Sequence, residues 1–203
     1  MDATPNERGF MFTGIITEMG TVATRTRSGI SISTNKRFLR RLKRGDSIGI
    51  DGACLTVVAK NGSSFSADIM PETAHRTTLP DLPRGAYVNL ELPATPISFL
   101  SGHIVQGHID GVGKLVSVVR KGNSRMLKFS IPRTLSKYVV EKGSIAVNGV
   151  ALTVVKAGRK YVTVGIIPHT WESTSFRTVK VGDKANIEVD VLAKYIEKLT
   201  RRA

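Results

Sequence analysis

A chain of 203 residues, 41% of them hydrophobic, is long enough for two compact domains, and neither half has the composition of a disordered chain. A single cysteine excludes an internal disulfide and fits a reducing compartment. No apolar run approaches the roughly 20 residues of a membrane span, and the start lacks an apolar core behind a basic flank, so the expectation is a soluble, cytoplasmic protein without anchor or secretory signal.

Residues 1–10 are polar and turn-prone and read as a leader outside the fold. Short segments with strand character follow at residues 14–22, 29–33, 47–50, 54–59, 64–69 and 87–91, punctuated by Gly, Asn, Asp and Pro. None suits a parallel α/β layout, so this half reads as a small antiparallel barrel over residues 11–98, ending in a linker at 92–98. A second barrel is expected over residues 99–190. Beyond it, Leu192, Tyr195, Ile196 and Leu199 recur at i, i+3, i+4 and i+7, which predicts an amphipathic helix within 191–203. The first half has no counterpart to it, which makes it a candidate oligomer contact; packing back on its own barrel is the plainer alternative.

The two halves are copies. Asp51-Gly52 sits between alternating apolar residues as a tight hairpin turn, and Asn148-Gly149 repeats it 97 residues later. Leu55-Thr56-Val57-Val58 returns as Leu152-Thr153-Val154-Val155, and Pro71 and Thr73 return as Pro168 and Thr170. Gly14 and Gly20 return at an offset of 93, as Gly107 and Gly113, which places a four-residue insertion in the second copy. Its simplest location is a longer hairpin loop near residues 121–125. Two copies of this length are two domains and not a solenoid.

The net charge is +14, and residues 101–203 hold 18 of the 30 basic side chains but 7 of the 16 acidic ones. The densest basic run, residues 36–44, places Phe38, Leu39 and Leu42 on one helical face; residues 132–142 keep that spacing with Leu135, Tyr138 and Val139. A short helix packed on each barrel, basic outside, explains both. No aromatic-rich pattern accompanies the charge, so nucleic acid is not an expected partner. There is no phosphate loop, and His103 and His108 lack the further ligands of a metal site. Composition and spacing reach a duplicated, all-β, metal-free protein and stop there.

Motifs go further. Met11-Phe12-Thr13-Gly14-Ile15, Asp51-Gly52 with Cys54-Leu55-Thr56-Val57, Met70-Pro71-Glu72-Thr73, Ser101-Gly102-His103, Gln106-Gly107-His108-Ile109-Asp110 and Asn186-Ile187-Glu188-Val189-Asp190 stand in order along the chain. Together they closely resemble the riboflavin synthase family, alpha-chain type, built from lumazine-binding repeats. The resemblance implies two six-stranded Greek-key barrels and a homotrimer held by C-terminal helices. It also implies a cofactor-free dismutation of 6,7-dimethyl-8-ribityllumazine to riboflavin and 5-amino-6-ribitylaminouracil, and it makes lumazine synthase a candidate partner. A non-catalytic lumazine- or flavin-binding relative is the alternative, and a basic nucleic-acid-binding barrel a distant third.

Carried over residue by residue, a first pocket falls on Gly14, Ile15, Ile16, Ser47, Cys54, Leu55 and Thr56, with Asp68, Ile69, Met70, Pro71, Glu72 and Thr73. The second falls on Gly107, His108, Ile109, Lys142, Ala151, Leu152 and Thr153, with Gly165, Ile166, Ile167, Pro168, His169 and Thr170. The chemistry must take a proton from the C7 methyl of one lumazine, which asks for a base titrating near neutrality in a desolvated slot. His108 is the candidate base; Cys54, Ser47 and Asp190 are candidates to assist addition to the other lumazine, and Phe12 falls at the family's active site. On this reading His108 and Cys54 belong to separate pockets. Three departures stand out: Ala151 where the family usually has serine, His169 where it has glutamate, and ten residues before Met11-Phe12.

Overall fold

The computed structural model describes residues 11–200, so the predicted leader at 1–10 and the last three residues lie outside the described residues. The first barrel runs β1 (Glu18–Arg25), β2 (Gly29–Ser33), α1 (Lys36–Arg41), β3 (Ser47–Ile50), β4 (Ala53–Lys60), β5 (Ser64–Asp68), α2 (Pro71–Arg76) and β6 (Tyr87–Glu91). The second runs β7 (Gly111–Lys121), β8 (Ser124–Ser130), β9 (Ser144–Val147), β10 (Val150–Gly158), β11 (Tyr161–Ile166), α3 (Pro168–Ser173) and β12 (Lys184–Val189), and α4 (Val191–Thr200) follows. Each barrel is closed and antiparallel, in the cyclic order β1-β2-β5-β4-β3-β6 and its equivalent β7-β8-β11-β10-β9-β12. Closure leaves neither sheet an open edge. The duplication extends to irregularities: the register shifts at Val22/Thr24 and Val57/Ala59 recur at Leu115/Ser117 and Val154/Lys156.

Alternation fills each barrel. Ile30, Ile32, Ile48, Ile50, Val57 and Phe65 point into the first; Leu127, Phe129, Ile145, Val147, Val154 and Val164 point into the second. Two residues are exchanged: Ile109 packs in the first core, and Ile16 packs against the second.

Three expectations are corrected. Residues 14–22 do not form one strand; β1 begins at Glu18, because the backbone groups at Thr13 and Gly14 bond to the Glu91 carboxylate and to Ala151 instead of a strand ladder. The four-residue insertion does not lengthen a loop. It extends β7 and β8, which pair out to Lys121 and Ser124 across a turn of two residues. Of the two short helices, α1 is capped by Asn35 accepting from the Phe38 N–H, whereas Arg133–Tyr138 is a 3-10 turn without a side-chain cap. The sequence reading also passed over α2 and α3, each opened by a proline in its first turn.

The barrels dock through their hairpin tips. Asp51, Gly52, Asn148 and Gly149 all have positive φ, the geometry a two-residue hairpin turn demands. A Cβ on Gly52 would lie 2.6 Å from the Gly149 nitrogen, so the tips meet only because both are glycine. Around them a buried amide network closes with near twofold symmetry: Asn89 Nδ2 donates to the Asn148 carbonyl and Asn186 Nδ2 to the Asp51 carbonyl, both at 2.9 Å.

One member breaks the symmetry. Asp51 occupies the place of Asn148, and burial pushes its carboxyl up to about 7, against the opposing hydrogen bond from the Asn89 N–H. A folded pKa above the ordinary 3.8 means that the stabilising contribution is whole below about pH 4 and is lost as pH rises through about 7. Asp51→Asn is therefore expected to gain stability over the natural chain as pH rises, by roughly 1–3 kcal/mol at pH 8 and much less at pH 5. Thermal melts at the two pH values check this; equal shifts at both would remove the Asp51 charge as a cost of folding.

Candidate active site

The site is made by two loops that cross between the barrels. Residues 104–110 leave the second half and run over β4: the Cys54 N–H donates to the Gly107 carbonyl at 2.9 Å. A Cβ on Gly107 would sit 2.5 Å from the Cys54 Cβ, so glycine with φ of +78° lets the loop meet β4. Residues 13–17 make the reciprocal crossing, the Ala151 N–H donating to the Gly14 carbonyl at 2.8 Å. Buried glutamates anchor the two loops. Glu188 accepts from the Gln106 and Gly107 N–H groups at 2.7 and 3.0 Å, and Glu91 accepts from those of Thr13 and Gly14 at 2.7 and 3.0 Å. Burial raises both carboxyls, Glu188 to about 7.

This overturns the expected grouping. His108 and Cys54 do not belong to separate pockets; they line one cleft of about 510 Å³ with Ala53, Gln106, Gly107, Ile109, Asp110, Glu72, Thr73, Arg76, Thr77 and Lys194. Equivalence between repeats says which residues correspond, whereas the crossing sets which barrel they face. The partner of Ile15, the counterpart of His108, is the Ala151 side. One crossing therefore brings together a thiol and an imidazole, and the other a methyl and an aliphatic side chain.

Cys54 is half-buried. Burial pushes its thiol up, a hydrogen bond with the Ser47 side chain opposes this, and the Glu188 charge adds to the rise. The thiol is thus protonated at neutral pH and offers a donor, not a thiolate. Behind it, buried Phe12 exchanges backbone hydrogen bonds with Val105 and packs in one cluster with Cys54, Val105 and Ala146. The His108 side chain is exposed at the cleft.

The other expected site residues fall outside the lining of the Cys54 cleft. Leu55, Ile69, Leu152 and Ile166 belong to the barrel cores. Thr56 and Thr153 are exposed on β4 and β10, and Gly165 is half-buried on β11. Asp68 ends β5, and Met70 and Pro71 open α2, all exposed; Ile167, Pro168 and His169 open α3, likewise exposed, with Thr170 half-buried behind them. Lys142 stands exposed in the turn before β9 with φ of +64°. Asp190 lies outside the cleft lining; its Oδ1 accepts from the Leu192 N–H and caps α4. His103 is half-buried, its imidazole lowered by burial against the opposing Asp190 charge, and its Nε2 has no hydrogen-bond partner among the described residues. Among the described residues no three of His, Cys, Asp or Glu gather at metal-binding spacing, so no metal ligands are assigned.

The sequence reading missed Arg76, Asp110 and Lys194 as site residues. Arg76 pairs with Glu72 one turn earlier on α2, an i,i+4 signal that was available. Lys194 carries no local signal, since only the fold brings α4 to this loop.

Comparison with known proteins agrees with the duplication. A family model described as the lumazine binding domain matches residues 13–93 and again 106–190. Riboflavin synthase of Mycobacterium tuberculosis (strain ATCC 25618 / H37Rv) is 42% identical over 200 residues, covering 95% of this chain and 100% of that protein. The riboflavin synthase of Actinobacillus pleuropneumoniae is 39% identical over 192 residues, covering 93% and 89%. Among solved structures, LumP complexed with riboflavin shares the fold at a TM-score of 0.82 and 23% identity, over 88% of this chain and 99% of that one. Both lumazine-binding repeats and nearly the whole length are thus accounted for, and the chain belongs to the riboflavin synthase family.

Proposed function

We infer that this chain is a riboflavin synthase, a transferase that dismutates two molecules of 6,7-dimethyl-8-ribityllumazine into riboflavin and 5-amino-6-ribitylaminouracil, the last step of riboflavin biosynthesis. The observation that carries the mechanism is the loop crossing, which gives two related sites of unequal chemistry. Two identical molecules must end differently, one giving a four-carbon unit and the other accepting it. Crossings that differ as thiol plus imidazole against methyl plus aliphatic supply that inequality.

In the Cys54 cleft His108 takes the proton from the C7 methyl, while the lumazine ring spreads the resulting charge. Cys54 donates to the ring as a protonated thiol, and its hydrogen bond with Ser47 aims it. Phe12 backs the thiol and keeps water from that wall. The Ala151 site, with Ile15, holds the second molecule; neither side chain is an acid or a base, so the protons that its nitrogens gain as the four-carbon unit leaves come from outside these two residues. Each half, residues 11–98 and 99–190, serves as one lumazine-binding unit.

The two sites meet between subunits of a homotrimer built on α4, in the cytoplasm, where lumazine synthase is the partner that supplies substrate. Leu192, Tyr195, Ile196 and Leu199 are 56%, 61%, 61% and 82% exposed, so the apolar face of α4 is not packed on its own barrel. Truncation after Asp190 is expected to give smaller species in sedimentation, with activity reduced by about ten-fold or more because the paired sites no longer meet. A truncated protein that stayed trimeric would take α4 out of the assembly.

The test of function is product formation. Pure protein given the lumazine alone, with a chelator present, is expected to develop riboflavin absorbance at one riboflavin per two lumazines. Tight binding without product would make the chain a binder, and turnover that required added zinc or magnesium would overturn the cofactor-free mechanism.

A further inference from the structure

Resting on that reading of the Cys54 cleft, we propose that Lys194 and Asp110 form a latch that positions the His108 loop, making α4 part of the apparatus that holds the base in place. Asp110 stands two residues beyond His108, at the end of the crossing loop. Its three bonds point in one direction, toward the end of the second barrel. The Asp110 N–H donates to the Ile187 carbonyl at 2.9 Å, Oδ2 accepts from the Val189 N–H at 2.9 Å, and Oδ1 meets Lys194 Nζ at 2.7 Å. The pair is among the better buried ion pairs of the described residues, the Lys194 side chain 27% exposed and that of Asp110 19%. By contrast Lys184–Asp81 and Arg76–Glu72 are more than half exposed on both partners, where an ion pair contributes little.

Location gives the pair its role. Both residues line the cleft that holds Cys54 and His108. Beneath them, buried Glu188 grips the same loop through the Gln106 and Gly107 N–H groups. The charged and titratable groups that act on Glu188 are Asp110 on the loop and Lys194 on α4; Cys54 on β4 feels the Glu188 charge, and Arg76 on α2 feels Asp110 from across the cleft. Asp110 and Glu188 repel, and Lys194 offsets both. Without the ammonium, Glu188 would take up its proton more readily and lose part of its capacity to accept from two backbone donors.

Among the described residues the first repeat has no such device. Thr17 stands at the position equivalent to Asp110 and bonds to the Leu90 carbonyl, and the chain after Glu91 enters the linker instead of a helix. The latch therefore serves only the site with the thiol and the imidazole. A residue acting through His108 is a positioning residue, and displacement of a reacting group by about 1 Å is enough to cost on the order of 10²-fold in rate.

Lys194→Met keeps the packed stem and removes the charge. It is expected to lower kcat by roughly ten- to hundred-fold with KM changed far less, and to move the acid limb of the pH–rate profile to higher pH. Hydrogen exchange at the Gln106 and Gly107 amides should quicken in the same variant, and Lys194→Arg should restore all three. Glu197→Gln is the control, since the Lys137–Glu197 pair ties α4 to the second barrel and neither residue lines the cleft; it should leave the two amides as protected as before. Natural kcat, exchange and pH profile in Lys194→Met would overturn the latch, as would equal loosening in Glu197→Gln. If Lys194→Met failed to fold, Asp110→Asn must show the same faster exchange, and its failure to do so would equally overturn it. Should the natural chain make no riboflavin, the functional reading falls, while the exchange measurement still judges the latch.

Discussion

His108→Ala is expected to lower single-turnover riboflavin formation by about 10²–10⁴, the range typical of losing a general base, with lumazine binding largely kept. The imidazole is exposed at the cleft, so its loss leaves no buried group unpaired and no core cavity. Cys54→Ala should fall less, by about ten-fold, because a thiol held protonated by burial contributes one hydrogen bond to the ring and not a covalent step. Ala151→Ser adds a hydroxyl to the twin site in place of a methyl that takes part in no proton transfer, and should be tolerated. Near-natural turnover in His108→Ala would remove the imidazole from the mechanism, and a Cys54→Ala defect as large as that of His108→Ala would give the thiol a covalent role.

Gly107→Ala is expected to be nearly as damaging without touching a reacting group. Its Cβ would lie 2.5 Å from the Cys54 Cβ and 2.8 Å from the Cys54 nitrogen, and φ of +78° adds strain for any L side chain. Backbone on both sides prevents an easy escape, so the loop must lift off β4 and carry His108 with it. A loss in kcat of about 10²-fold is expected, with a fall in melting temperature from the broken Cys54–Gly107 hydrogen bond. Gly14→Ala makes the same clash against Ala151 and should cost comparable stability. Its effect on the proton-transfer step, read by single turnover, should be smaller. Equal kinetic losses in the two glycine variants would mean that the sites are chemically alike.

Much of this fold was legible because its signals are local. Asp51-Gly52 and Asn148-Gly149 demand hairpin turns, period-2 apolar patterns place the strands beside them, and a constant offset exposes the duplication. The apolar spacing of Leu192, Tyr195, Ile196 and Leu199 likewise gives α4. The site was legible in its members and not in its grouping. Gly14 and Gly107 correspond in sequence, but a positive φ at each turns its loop away from its own barrel, a tertiary choice that no local pattern records. Asp190 shows a related limit: its Oδ1 caps α4 and it lies outside the lining of the Cys54 cleft, a placement that no local pattern records. Lys194 marks the far end of this limit, a cleft residue made so only by where the last helix docks.

The crossing of the two loops can be measured directly, since Cys54 is the only cysteine. A second thiol is introduced by His108→Cys in one protein and by Ile15→Cys in another, and each is treated with a short bis-maleimide and analysed by mass spectrometry. The crossed arrangement predicts an intramolecular link from Cys54 to position 108 and none to position 15. A link to position 15 and none to position 108 would return each loop to its own barrel, and with it the thiol and the imidazole to separate sites.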